Sequence, residues 1–301
     1  MAGYGIWRET DRIRDKGIIT LEKEKLDPAL KNLYGTPPGK NSTLAVVPQH
    51  ALAYYWTNTL DLPTYWKMYQ QQSESTREKI DGIRNAAKKQ SGLEIETILG
   101  LLDRQCGLMI READVKRFLP IPDFTIFAEL KDSNLFGELV RNVLKKNGYN
   151  VQMQNYKDIE ISSIAGFSQG GLLPVYMMHD HVFFVANSME MIKEIIDTIK
   201  DGHGLADDSN FQKVNAGLQE ENNSIGYVRV GDLMRAVKGM VKWGRMLIAI
   251  QDHENAERME ILIDRLVNPL LDGLSMYSAT GMRSRIVQNQ IIIESATVIE
   301  K

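Results

Sequence analysis

Cysteine is almost missing from this sequence, with Cys106 the only one in 301 residues. A lone thiol forms no internal disulfide and builds no cysteine-rich zinc centre. Set in the apolar run Cys106-Gly107-Leu108-Met109-Ile110, it reads as a buried small side chain. Cysteine poverty suits the cytosol and equally an exported protein that uses no disulfides. Histidine is scarce too, with five residues. No charge dominates: 36 basic and 39 acidic side chains leave a formal net charge of −3. That is no broad basic field for a phosphate backbone, which argues against nucleic acid as a partner. Long apolar runs are missing as well. A membrane-spanning helix needs roughly 20 predominantly apolar residues, and the best stretch, 234–250, is broken by Arg235, Lys238, Lys242 and Arg245. Residues 1–17 lack the apolar segment of a secretion signal.

What is present is an ordinary globular composition, 43% hydrophobic and 25% charged, in a chain long enough for one or two domains. One phrase recurs. An apolar extended run meets an aspartate and then a helix-like segment at residues 51–70, 124–146 and 223–242, with Asp61, Asp132 and Asp232 at the junctions. A carboxylate there can accept hydrogen bonds from the free amides of a helix start, so capping explains these aspartates better than acid–base chemistry does. Apolar stripes at helical spacing follow in Ile95, Ile98, Leu99 and Leu102, in Phe136, Leu139, Val140 and Val143, and in Ile192, Ile195, Ile196 and Ile199. Asn187 with Glu190 reads as a capping box for the third stripe. Met259, Leu262, Ile263, Leu266 and Leu270 form a fourth, which Pro269 is expected to end. Residues 72–90 read as a solvated surface helix. The expected fold is α+β: repeated strand–Asp–helix units, with antiparallel sheets covered by amphipathic helices.

The two ends of the chain resemble each other. Residues 6–26 and 276–299 each offer a strand, a turn (Asp15-Lys16-Gly17 and Gln288-Asn289) and an isoleucine-rich second strand. If the second pair closes one unit, the first closes a preceding one. Residues 1–35 are then the closing strands of a preceding repeat plus linker, and residues 36–301 a repeat-built domain. The Pro- and Gly-rich stretch 34–43 marks the junction. A chain organised this way begins inside a larger protein.

Two stretches look catalytic. Gly166-Phe167-Ser168-Gln169-Gly170 spells the G-x-S-x-G of a nucleophile elbow, and with Gly171 it resembles the elbow of acyl-protein thioesterases. An elbow requires a strand turning sharply into a helix. Here Pro174 and two β-prone runs follow, so a glycine-rich loop between antiparallel strands is the better reading and Ser168 the alternative nucleophile. His179-Asp180-His181 lies between Leu172–Met178 and Val182–Asn187, where a turn belongs. Zinc needs three or four protein ligands, and the nearest other histidine is His203. Residues 206–210 lack the spacing of a calcium loop and read as a cap for the segment holding Phe211 and Val214. No metal or cofactor is expected.

Aromatic residues concentrate at Tyr54, Tyr55, Trp56, Tyr65, Trp66 and Tyr69. Rings in such numbers are usually core. Tyr54 and Trp56 share one strand face and Tyr55 takes the other, so one face must meet a packed neighbour or a ligand. Tyr54, Trp56, Tyr65 and Trp66 are the candidate ligand-binding residues.

Residues 44–242 resemble a bacterial family known only as a domain of unknown function, found in exported or membrane-anchored chains. The resemblance is carried by Leu44–Leu62, by Leu119–Val140, by Leu173–Asp197 and by Gly204-Leu205-Ala206-Asp207 with Phe211. It implies an extracytoplasmic location, in the periplasm or cell envelope, and leaves room for a membrane anchor outside this chain. It implies no assigned chemistry. The function expected is a non-enzymatic binding or scaffolding protein with a protein partner or neighbouring repeat. The alternatives are a serine hydrolase using Ser168 and a carbohydrate- or peptide-binding module using the aromatic group.

Overall fold

Apolar residues alternate with a period of two in Ala53-Tyr54-Tyr55-Trp56-Thr57 and in Phe124-Thr125-Ile126-Phe127, and both become strands. The structure, a computed structural model, describes residues 1–71, 77–112, 121–165, 173–214, 216–251 and 259–300. Its strands are β1 (Ala2–Arg8), β2 (Arg12–Thr20), β3 (Ala53–Thr57), β4 (Leu102–Arg111), β5 (Asp123–Leu130) and β6 (Asn150–Tyr156). They continue with β7 (Ile159–Ala165), β8 (Val175–His179), β9 (Val182–Ala186), β10 (Ser224–Val228), β11 (Tyr277–Val287) and β12 (Gln290–Ile299). All twelve join one sheet in the order β1-β2-β12-β11-β10-β3-β4-β5-β9-β8-β7-β6. Every neighbouring pair is antiparallel. The α+β expectation holds, with the strands gathered into a single sheet.

The helices are α1 (Pro28–Leu33), α2 (Leu62–Gln70), α3 (Arg77–Ser91), α4 (Ile95–Gly100), α5 (Ser133–Lys146), α6 (Met189–Asp201), α7 (Ser209–Val214), α8 (Val230–Gln251) and α9 (Asn268–Leu274). The core lies on one face of the sheet. Trp56, Phe127, Phe184, Met177 and Ile161 stand in one cross-strand row, with Tyr54, Met109 and Tyr227 beside it. α6 covers this face with Ile192, Ile195 and Ile196, all fully buried, each contributing about 1.5–3 kcal/mol. Close approach depends on two glycines. A Cβ on Gly107 would lie 2.2 Å from the Phe127 ring and 2.2 Å from the Tyr55 carbonyl oxygen. One on Gly281 would lie 2.5 Å from Val214 of α7.

The structure departs from the sequence expectations at four places. Asp15-Lys16-Gly17 is no turn: β2 runs through it, opposed to β12 from Arg12 facing Val298 to Thr20 facing Gln290, and the chain turns at residues 9–11 instead. Asp61 and Asp132 do cap α2 and α5, accepting from the Thr64 and Leu135 amides at 3.0 and 2.9 Å. Asp232 does not cap, because α8 already begins at Val230; it pairs with Arg229 and Arg235 within the first turn. The α6 cap is Ser188, while Asn187 binds the Phe124 amide and the Pro122 carbonyl. Pro269 ends nothing: a π-helical turn at Ile263–Val267 absorbs its missing donor and runs on into α9. Of that fourth stripe only Ile263 is buried, and Leu262, Leu266 and Leu270 face outward.

Candidate functional site

Consecutive apolar positions in the central strands leave both sheet faces apolar, and α6 and α7 can cover only one. The other face carries a row of directly opposed residues running from Met282 through Gly226, Tyr55, Leu108 and Ile126 to Val185. It ends at Tyr176, Ser162 and Met153. α5 covers that end, with Phe136 edge-on to Phe183 at 5.0 Å and Gly137 against Met178. Among the described residues the middle stays open. Tyr55, Phe124, Ile126, Val185 and Met282 are all exposed there. Beside Tyr55 the face dips into a groove of about 390 Å³, floored by Leu108, Ile110, Gly226 and Val228. A contiguous exposed apolar strip of this kind marks an interaction surface.

The sequence-predicted aromatics divide between the two faces. Tyr54 and Trp56 are core. The Tyr54 hydroxyl shares hydrogen bonds with Thr43 Oγ1 at 2.8 Å and Asn41 at 2.9 Å, and burial pushes its phenol well above the ordinary range. The Trp56 indole donates to Gln105 Oε1 at 3.1 Å. Trp66 is buried between α2 and α4, and its indole donates to Glu96 Oε1 at 2.9 Å. That bond, with Glu96's own backbone amide, Arg84 and Gln70, holds the Glu96 carboxyl at about 2. Tyr65 is exposed; desolvation, with Tyr34, Asp61 and Tyr55 nearby, pushes its phenol up. The ring surface open to a ligand is therefore Tyr65 together with Tyr55, which the candidate set left out. Its signal was legible: Phe124-Thr125-Ile126-Phe127 and Leu108-Met109-Ile110 carry apolar residues on both faces.

Ser168 and the rest of residues 166–171 lie outside the described residues. His179 closes β8, and Asp180, at φ 51°, makes the tight turn into β9 with His181. Among the described residues no three His, Cys, Asp or Glu side chains gather to hold a metal. Asp208 accepts from the Asn210 and Phe211 amides at 2.9 Å, the cap expected of residues 206–210. Cys106 is half-buried, and burial pushes its thiol up, away from nucleophilic chemistry. Among the described residues no helix is long and apolar enough to cross a membrane.

The sheet so ordered defines an α+β protein with an exposed apolar strip among its described residues. Residues 118–244, from before β5 into α8, match the profile of a family described as "Protein of unknown function (DUF3352)". The match covers less than half of the chain and begins later than the resemblance read from residue 44. No curated protein matches. Crystal form III of TP0453 is 10% identical, covering 88% of this chain and 94% of its own, with a TM-score of 0.35. RctB domains 2-3 are 8% identical, covering 99% and 91%, with a TM-score of 0.10. Neither likeness is close enough to carry an argument.

Proposed function

We propose that this protein is a non-enzymatic binding or scaffolding protein of the periplasm or cell envelope, working within a larger assembly. The observation that supports it is the open apolar strip through Met282, Tyr55, Ile126 and Val185, on a sheet whose opposite face carries the hydrophobic core. The partner such a strip suits is another protein surface that buries these side chains, supplied by a separate chain or a neighbouring repeat. The extracytoplasmic part rests on the sequence resemblance.

The test is a photo-crosslinking residue placed at Ile126 in source cells, with Lys213 on α7 as the control. A discrete protein adduct at Ile126 and none at Lys213 is expected, lost when Met282 and Tyr55 are replaced by glutamate. Equal labelling at both positions overturns the reading. Recovery of the protein with the cytosolic fraction removes its location.

A further inference from the structure

The cavity beneath α5 goes beyond that reading. It encloses about 300 Å³ between the C-terminal half of α5 and the strands β6, β7 and β8, within the size range of small-molecule sites. Its apolar side chains are Val151, Met153 and Met178. Gly137 belongs to the architecture: a Cβ there would lie 2.7 Å from the Met178 methyl, so glycine lets the helix sit down on the methionine.

The polar lining has lone pairs and charges without partners. Arg141 and Lys145 stand one helical turn apart on α5, and among the described residues neither has an ion-pair or hydrogen-bond partner. That is unusual in this chain, where most of the other arginines are paired. Ser162 and Tyr176 are opposed across β7 and β8 and only 5% and 8% exposed. Among the described residues neither hydroxyl has a hydrogen-bond partner, although both line the cavity. Both hydroxyls open onto the cavity and are free to meet a polar group, while solvent held over methionine side chains costs free energy. A ligand with one polar end and one apolar end suits both. The charge sets its sign: two cations and Glu160 leave the lining with one net positive charge.

We propose that this cavity binds a single-chain amphiphilic carboxylate, its head held by Arg141 and Lys145 with the Ser162 and Tyr176 hydroxyls, its chain lying along Val151, Met153 and Met178. Flexible thioether side chains suit a chain of variable shape. A singly charged head balances the lining; a doubly charged one exceeds it. The site is separate from the open strip, although the same cross-strand row leads from Val185 into it.

The experiment is calorimetric titration of the full chain with decanoate, and with decan-1-ol as the uncharged equivalent. Saturable one-to-one binding of decanoate is expected, with decan-1-ol weaker by roughly ten-fold or more. The double variant Arg141→Gln/Lys145→Gln changes only exposed side chains, so it folds; it should reduce decanoate binding by roughly ten-fold while leaving decan-1-ol unchanged. Met153→Glu should weaken both probes, and Ile126→Glu on the open strip should weaken neither. Absence of saturable decanoate binding overturns the proposal. So does binding that survives the double variant and Met153→Glu, or that is lost in Ile126→Glu, since the chain then lies elsewhere.

Discussion

Tyr54 and Tyr55 are adjacent in the chain and lie on opposite sides of the sheet, the first 2% exposed and the second 43%. Tyr54 stacks on Phe127 with ring centroids 6.1 Å apart, and its hydroxyl is bound by Thr43 and Asn41. Tyr55 looks onto the groove beside Gly226. One strand thus serves stability on one side and contact on the other, and substitutions should separate the two roles.

Tyr54→Ala is expected to destabilise by about 3–5 kcal/mol, the range for losing a large core ring. Tyr55→Ala should stay within about 0.5 kcal/mol of the parent, as exposed positions do. Urea unfolding followed by tryptophan fluorescence reads both. Equal losses would show that the open face is packed in solution.

Gly107 and Gly226 sit in neighbouring parts of the same sheet and should respond differently to a methyl group. Gly107→Ala drives a Cβ into the Phe127 ring and the Tyr55 carbonyl, a backbone atom that cannot step aside. A loss of about 1–3 kcal/mol or more is expected. Gly226→Ala meets only the Met282 methyl, at 3.9 Å. It should fold with the parent's stability to within about 0.5 kcal/mol and make the groove shallower. Thermal unfolding of the two variants side by side checks the contrast.

The three junction aspartates should no longer behave alike. Asp61→Ala and Asp132→Ala each remove a cap, worth about 0.5–2 kcal/mol. Asp61 is the costlier because Asn32 and Arg104 also bind its carboxylate, at 2.8 and 3.1 Å. Asp232→Ala removes only ion pairs at the start of α8 and should cost less than either. Circular dichroism melts rank them.

Glu96 predicts a dependence on acid. Hydrogen bonding from the Trp66 indole holds its carboxyl at about 2 in the folded protein, against an ordinary value of 4.5. The folded value lies below the unfolded one, so this stabilisation is complete above about pH 4.5 and is lost as the pH falls toward 2. Glu96→Gln should flatten that part of the curve, since the neutral amide can still accept from the indole. Melting temperature measured from pH 5 to pH 2 for both proteins settles it.

Strand identity was legible where alternation was strong, as at Ala53–Thr57, and helix faces where isoleucines recurred at helical spacing, as in α6. Sheet order was not. The pairing of β10 with β3, and of β12 with β2, joins residues far apart in sequence, and period-two patterning names no neighbour. The first hairpin was misplaced because Gly17 reads locally as a turn residue. In the structure Gly17 lies within β2, opposite Tyr4, whose ring reaches to 3.9 Å from its Cβ position. The leucines after residue 261 misled for a different reason. Their spacing identified a helix, but spacing alone does not say which side of a helix meets the protein. Arg141 and Lys145 were not legible as cavity residues because a basic pair on a helix looks solvated until the strands beneath it are in place.

The ladder between β2 and β12 ties Arg12–Thr20 to residues 290–298. During synthesis β2 leaves the ribosome long before its partner exists, and until then its only described neighbour in the sheet is β1. The hairpin must wait, with Ile18 unshielded, for nearly the whole chain to follow. Ribosome-stalled lengths that stop short of β12 should therefore hold a hairpin that proteases cut and chaperones recognise.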